Sequence, residues 1–515
     1  MRRSCTSCAL GTSGLIVAIL GIIIAAIWPS VFQAILQKQL SLSPESESYK
    51  PWKSPSVTLN LDIYLYNWTN PEDLLNTSTK PILQQLGPYR FREVPDKENI
   101  TWHPENNTVS FRKKADFYFD PEGSVGSLDD EINTVNVVAL AAGHQAHNWP
   151  SLRKSAVNMG MSLYNQERHV TKRVEELLFL GYEDSLIDMA RSMPSLTGGG
   201  AVPFDKFGWF YTRNGSSHLT GHFNMATGAD DISKFGRVEQ WNYAEELPFF
   251  EKECAGVNGS AGTFYPPNRN REDPVWLFSP DMCRKLRFDY EKDVEVKGVL
   301  GYKYTGGART VDNGTLYPEN KCFCNGECVP SGVMNISACR YGTPVFMSFP
   351  HFYGADPYYL DAVEGLNPSQ DKHGFHIVLE PTTGIPLDVA ARFQVNILMS
   401  PHPGISLYSK VPRVFMPVLW FEHRVTVPDA TASNIAGAAM APWAGRLCGY
   451  ILLGLGLSLM TIMIIREVLA RKNREDKTKT GSYAVNTSRF AQGSLEMVPP
   501  GEKDSALPLM NGQKH

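Results

Sequence analysis

The chain has 515 residues and a formal net charge of −4, with 49 basic against 53 acidic side chains. That balance, with no dense basic stripe outside the C-terminal tail, argues against a nucleic-acid partner. The length allows a large core in one or two domains, and no G-x-S-x-G elbow, H-E-x-x-H pair or Walker loop occurs to suggest an enzyme.

At the N-terminus, Cys5 and Cys8 precede residues 9–27, nineteen residues without a charge, and the charge-free stretch continues to Lys38. At 1.5 Å per residue the nineteen span roughly 28 Å, the thickness of a bilayer's hydrocarbon. A cleaved signal peptide is the alternative, because Arg2 and Arg3 form a basic start and Ala25 and Ala26 are small; its apolar region usually ends after about 7–15 residues. The preferred reading is an uncleaved transmembrane helix, residues 9–30, behind a cytosolic tail, residues 1–8, whose two thiols are palmitoylation candidates.

Residues 57–66, VTLNLDIYLY, alternate apolar and polar with period two and predict a half-buried strand, as do residues 393–399, FQVNILM. Between them Leu152, Ala156, Met159 and Leu163 recur at helical spacing, and Val170, Val174, Leu177 and Leu178 continue it. A helical segment, about residues 144–195, therefore interrupts a strand-rich chain. From Asn133 to Gln166 no acidic residue occurs, while Arg153, Lys154, Arg168, Lys172 and Arg173 stand in or just after that span. This is either a solvated helix face balanced by Glu167, Glu175 and Glu176 or an anion-attracting surface. His144 and His147, at i and i+3, have metal-ligand spacing but no carboxylate partners, so they read as structural; neither a metal nor a cofactor is expected.

Eight N-x-S/T sequons begin at Asn67, Asn76, Asn99, Asn106, Asn214, Asn258, Asn313 and Asn335, spread along the region after the anchor. They predict a glycosylated exterior, residues 31–443. The same region holds Cys254, Cys283, Cys322, Cys324, Cys328 and Cys339. An even number in an oxidising compartment reads as three disulfides, although six cysteines allow fifteen pairings. Zinc and a catalytic thiol are the alternatives, but C-x-C-x3-C is not a zinc-ribbon pattern and no histidine stands within it. Asn313 and Asn335 bracket the cluster, which suggests a solvated surface there.

Residues 447–465, LCGYILLGLGLSLMTIMII, lie between Arg446 and Arg466 and predict a second transmembrane helix, residues 444–466. Six basic residues follow within fourteen positions, so positive-inside places the tail, residues 467–515, and the N-terminus in the cytosol. A ninth sequon at Asn486 should then stay bare. The apolar cores hold no Asp, Glu, Lys, Arg or His, which disfavours an ion path and with it a two-helix ligand-gated channel. The tail carries neither an acidic dileucine nor a Tyr-x-x-apolar signal, favouring the plasma membrane over lysosomal or endosomal membranes.

LYNWTNPEDL (65–74), LGPYRFRE (86–93), LFSPDMCRKL (277–286), CFC (322–324), GTPVFMSFPHFYGADP (342–357), GLNP (365–368), EPTTGIPL (380–387), RFQVNI (392–397) and PVLWFE (417–422) together resemble the class B scavenger receptor family. That family includes fatty-acid translocases, high-density-lipoprotein receptors, lysosomal integral membrane proteins and insect sensory neuron membrane proteins. The resemblance covers nearly all of the exterior region and both anchors, in order. It implies an α+β fold: a large antiparallel β-barrel-like ectodomain with an internal lipid tunnel and a helical-bundle apex, held by two transmembrane helices. The family's cysteine order implies the pairs Cys254–Cys322, Cys283–Cys339 and Cys324–Cys328.

Residues 133–166 and the helix after them match the apex, where the resemblance implies ligand docking. Arg153, Lys154, Arg168 and Lys172 are expected to form a basic rim beside Trp149, Leu152, Met159 and Met161. One departure is SLYNQERH (162–169), which leaves only Arg168 and His169 where fatty-acid translocases carry lysines. The implied function is non-enzymatic: lipids (fatty acids, sterols, carotenoids or phospholipids) or lipoproteins dock at the apex, and apolar cargo passes down the tunnel to the membrane. The alternative is an adhesion, endocytic or lysosomal-sorting receptor for protein ligands, and a homo-oligomer is left open.

Overall fold

The computed structural model describes residues 2–55, 59–76, 78–193, 203–324 and 326–491. The side chains of Cys5, Cys8 and Asn486 lie outside the described residues. The chain divides into two compact units, Met1–Ser30 with Trp443–His515, and Val31–Pro442.

The first unit holds the larger parts of α1 (Arg2–Leu40) and of the C-terminal helix (Asp429–Ala491). Each is long and apolar enough in part of its length to cross a bilayer, the candidate spans lying within Ala9–Leu40 and Asp429–Thr478. They pack antiparallel through small residues: Gly14 faces Gly456, Gly21 faces Leu453 and Gly449, and Trp28 lies against Gly445. A Cβ on Gly449 would fall 2.7 Å from the backbone nitrogen of Ala25, so the helix backbones are in direct contact.

The second unit adds α2 (Tyr49–Lys53) and then β1 (Leu59–Trp68), β2 (Leu83–His103), β3 (Thr108–Phe119) and β4 (Glu131–Val135). Next come α3 (Val137–Ala146), α4 (Ser151–Leu163), β5 (His169–Arg173) and α5 (Ser185–Ser192). The remaining strands are β6 (His222–Ala226), β7 (Val238–Trp241), β8 (Val275–Ser279), β9 (Arg284–Val296), β10 (Val299–Thr305), β11 (Met334–Asn335), β12 (Val345–Ser348), β13 (His376–Leu379), β14 (Pro386–Met399) and β15 (Val414–Thr426).

One antiparallel sheet runs β7-β6-β3-β2-β1-β15-β14-β13-β10-β9-β8, with β12 branching from β14 and β11 from β12. Residues 259–260 tie its two ends together: Val238 donates to the carbonyl of Gly259, and Phe278 donates to that of Ser260. The sheet is thus nearly closed into a barrel, which removes exposed edges. Mixed α and β with a barrel-like sheet and two terminal apolar helices is the fold expected from the resemblance.

The predicted strand over 57–66 corresponds to β1, whose inward residues Leu61, Ile63 and Leu65 are buried. Residues 393–399 depart from the half-buried expectation, because both faces are covered. On the outer face, buried Gln394 accepts from the Tyr66 hydroxyl at 2.8 Å and the His351 amide at 2.7 Å. Pro417 sits inside β15, next to a central strand, where it cannot donate; a register shift opposite Val395 and Asn396 absorbs it.

The helical segment begins at Val137 rather than at 144, and it is not continuous. Val170, expected on a helix, lies in β5, paired with Thr134 of β4. A single π turn, Glu176–Leu180, follows. The β-branched Val170 and Thr171 favour a pleated surface, and β4 supplies the partner that local periodicity cannot see.

Candidate functional site

The α3–α4 hairpin is inserted between β4 and β5 and rests on the loop from β14 to β15, residues 400–413. Asn136 starts α3, its Oδ1 accepting from the amide of Ala139 at 3.0 Å. Asn158 on α4 clasps the loop, donating to the carbonyl of Gly404 at 2.7 Å and accepting from the amide of Ser406 at 2.8 Å. Gly143 is required by the close approach of Tyr408, whose ring would lie 3.0 Å from any Cβ there.

This bundle carries the residues expected at the rim, but not as one continuous ring. Leu152 is 84% exposed, Met159 is 68% exposed, and Arg153 beside them is exposed too. Lys154 is half-buried against Gly404, and Trp149 is half-buried against the main core. Arg168 is tied down, its Nε donating to the carbonyl of Leu407 at 2.9 Å. Lys172 belongs to β5, its ammonium 4.8 Å from the centroid of the Tyr182 ring. Met161 corrects the expectation outright: at 4% exposure it is a core residue, because it falls on the face that α4 buries. Exposed Leu163, placed at the same helical spacing by the sequence but not counted among the rim residues, extends the apolar stripe of Leu152 and Met159.

Inside the barrel, register brings one face of five strands together. Phe119 pairs with Phe91, Phe91 with Leu61, Leu61 with His423, and His423 with Ala391. Phe179 joins them from the π turn, 4.7 Å from Phe91 and 5.2 Å from Phe117, and Phe210 stacks on Phe179 at 5.3 Å. Phe117, Phe119, Phe179, Phe210 and Phe421 all pack on the core yet stay only half-buried. In a filled core such rings would be covered on both sides, whereas these keep part of their surface accessible.

A group of charges adjoins this aromatic wall. Arg213 is paired with Asp281, Arg340 lies 3.6 Å from the same carboxylate, and His423 is paired with Glu93. The Lys113 ammonium donates to the carbonyl of Ala261 at 2.7 Å. Asp281 keeps 48% of its side-chain surface accessible. Burial alone would raise the Asp281 pKa, but Arg213, Arg340 and Lys113 outweigh it and hold the group down to about 2. Burial takes Lys113 down to about 8. Burial also opposes charge on His423, yet Glu93 outweighs it and raises that imidazole above its ordinary value. Lys113, Arg213 and Arg340 against Glu93 and Asp281 leave this group of charges net positive.

Disulfides join Cys254 to Cys322, Cys283 to Cys339 and Cys324 to Cys328. The second places Arg340 beside Asp281, so the staple positions a charged wall of the interior. Among the sequons, Asn76, Asn99, Asn106, Asn214 and Asn258 are exposed and Asn67 and Asn335 half-buried. Asn313 does not lie on the solvated surface expected of it. It is 1% exposed, and its Nδ2 donates to the carbonyl of Val329 at 3.0 Å.

Residues 12–466 match the CD36 family. The chain is 43% identical to Protein peste of Drosophila melanogaster over 94% of its own length and 88% of that protein. It is 32% identical to Scavenger receptor class B member 1 of Rattus norvegicus, over 94% of this chain and 96% of the relative. Lysosome membrane protein 2 of Mus musculus is 28% identical over 87% of this chain and 93% of the relative.

Proposed function

The chain belongs to the CD36 family of scavenger receptors, and on that premise we propose that it is a cell-surface receptor that passes lipid cargo through its barrel to the membrane. The observation that carries this reading is the half-buried phenylalanine wall beside a net positive group of charges on the inner face of the sheet. An apolar chain covering that wall gains roughly 0.8 kcal/mol per buried methylene, enough to move cargo down its gradient without an energy source. The positive charges suit a cargo with an anionic head, which enters after docking on the exposed stripe of α4. Positive-inside supports both termini in the cytosol, with residues 1–8 and 467–515 as tails, and Cys5 and Cys8 remain palmitoylation candidates at the inner leaflet.

Ala391 is half-buried on the inner face, opposite His423, so Ala391→Trp should obstruct the proposed route without touching the apex. In cells with endocytosis blocked, the variant should reach the surface and bind lipoprotein as the parent does while uptake of a fluorescent fatty acid or sterol ester falls at least several-fold. Undiminished uptake would remove the barrel interior from the route.

The second reading, a receptor for protein ligands that leaves the interior idle, is favoured by the exposed Leu152, Met159 and Leu163 alone. It predicts that Met159→Asp abolishes ligand capture while Ala391→Trp changes nothing.

A further inference from the structure

His144 and His147 are joined by a third histidine that lies 255 residues further along the chain. His144 closes the last turn of α3, His147 follows that helix, and His402 lies in the loop between β14 and β15. One ring nitrogen from each is within 4.8 Å of those of the other two. The ring centroids are 5.4 Å apart for His144 and His147, 5.2 Å for His144 and His402, and 4.9 Å for His147 and His402.

The hydrogen bonding leaves lone pairs on this cluster. The Nδ1 of His147 is bonded to the backbone carbonyl of His144. A carbonyl can only accept, so Nδ1 carries the hydrogen and Nε2 presents a lone pair, the arrangement in which a backbone carbonyl orients a metal-binding imidazole. His402 is 3% exposed, and its Nε2 has no hydrogen-bond partner; nor does the Nδ1 of His144. Buried polar nitrogens without partners are destabilising and uncommon, and the two on His144 and His402, which converge with the Nε2 of His147 from two separate segments, need a shared occupant. No carboxylate accompanies the rings within the cluster.

We infer that His144, His147 and His402 form a binding site for a borderline transition-metal ion of the zinc class. Three imidazoles with no carboxylate suit zinc, copper(II) or nickel and exclude calcium and magnesium, which require oxygen ligands. Tetrahedral coordination at about 2.0–2.1 Å would bring the nitrogens to about 3.3 Å from one another, within reach of rotation about the broad terminal torsion of each ring. The fourth position would be left to water or to a group from a bound partner. The ion would clip α3 to the β14–β15 loop, the same junction that Asn158 clasps, and so fix the helical bundle on the barrel.

The test uses the full-length glycoprotein without a histidine tag, purified in detergent and freed of metal with a chelator. Zinc chloride titrated by calorimetry should bind at one ion per chain, raise the thermal midpoint and slow amide exchange in residues 137–163 and 400–408. Cobalt(II) should give the absorption of a tetrahedral site, and calcium should give none of these effects. His147→Ala, half-exposed and tolerant of truncation, and His402→Gln should each weaken zinc binding on the order of 100-fold while leaving the metal-free midpoint near that of the parent. Absence of stoichiometric zinc binding by the parent, or binding by His147→Ala equal to the parent's, would overturn the site. If His402→Gln fails to fold, His147→Ala together with His144→Ala decides the matter, because both sit at the helix end.

Discussion

His351 and His373 stack with ring centroids 4.2 Å apart against Trp420, and their hydrogen bonds require both to be neutral. The Nδ1 of His351 accepts from the amide of Asn367 at 2.9 Å, so its Nε2 donates to Gln85 at 2.6 Å. The Nδ1 of His373 accepts from the amide of Ser369 at 2.9 Å. Protonation at Nδ1 would break both of these hydrogen bonds inside the fold. Burial holds His351 down to about 4, and burial with the neighbouring His351, Arg392 and Lys372 holds His373 down to about 3. The sign follows: below the ordinary value of 6.5 the unfolded chain takes up protons that the folded chain refuses, so stability falls as pH drops from 6.5 towards 4. At pH 5 each ring should cost about 2 kcal/mol. Thermal unfolding of the exterior region should show a lower midpoint at pH 5 than at pH 7, and His373→Gln should flatten that slope. A second expectation at this scale concerns Asn313, whose amide nitrogen is already committed to Val329. Glycopeptide mass spectrometry should find it bare while Asn99, Asn106 and Asn214 carry glycans.

At the level of elements, the pairing of α1 with the C-terminal helix depends on residues that have almost no side chain. In lipid, the hydrophobic effect does not drive helices together, so close backbone approach through glycine and alanine supplies the dispersion contacts. Gly21→Leu would force the backbones apart at Leu453 and Gly449. With Cys448 replaced, a cross-link between cysteines introduced at Ala18 and Gly456 should form readily. Adding Gly21→Leu should lower its yield at least about fivefold, the effect of roughly 1 kcal/mol. Unchanged yield would mean that the helices associate for other reasons. The π turn and β5 teach a related lesson. Val170 and Leu177 satisfy a helical period in the sequence, but β4, some thirty-five residues earlier, offers a strand edge that outweighs it.

For the whole molecule, the Cys283–Cys339 staple closes a loop of 56 residues and sets Arg340 against Asp281. Removing both cysteines as Cys283→Ser and Cys339→Ser should cost about 4 kcal/mol by the loop-closure rule, seen as a lower unfolding midpoint and reduced surface delivery. Restoration of folding at lower temperature should leave lipid uptake impaired, since one of the positive charges has lost its anchor. Full uptake by the folded variant would show that the interior charges do not guide cargo.

Much of this protein is legible along the chain because its determinants are local. An apolar run of bilayer length specifies a spanning helix wherever it occurs, period-two alternation specifies β1, and the helical stripe of Leu152 and Met159 marks α4's exposed face. What tertiary structure decided are the features built from residues far apart in sequence. Met161 shares a helix with Met159, and only the direction in which α4 packs makes one core and the other surface. Phe119, Phe91, Leu61 and His423 become neighbours through strand register, and His402 reaches His144 and His147 through a loop returning to α3. Sequence spacing carries no signal of such meetings, because closing a loop of some hundreds of residues is governed by the register of the entire sheet rather than by the residues that finally touch.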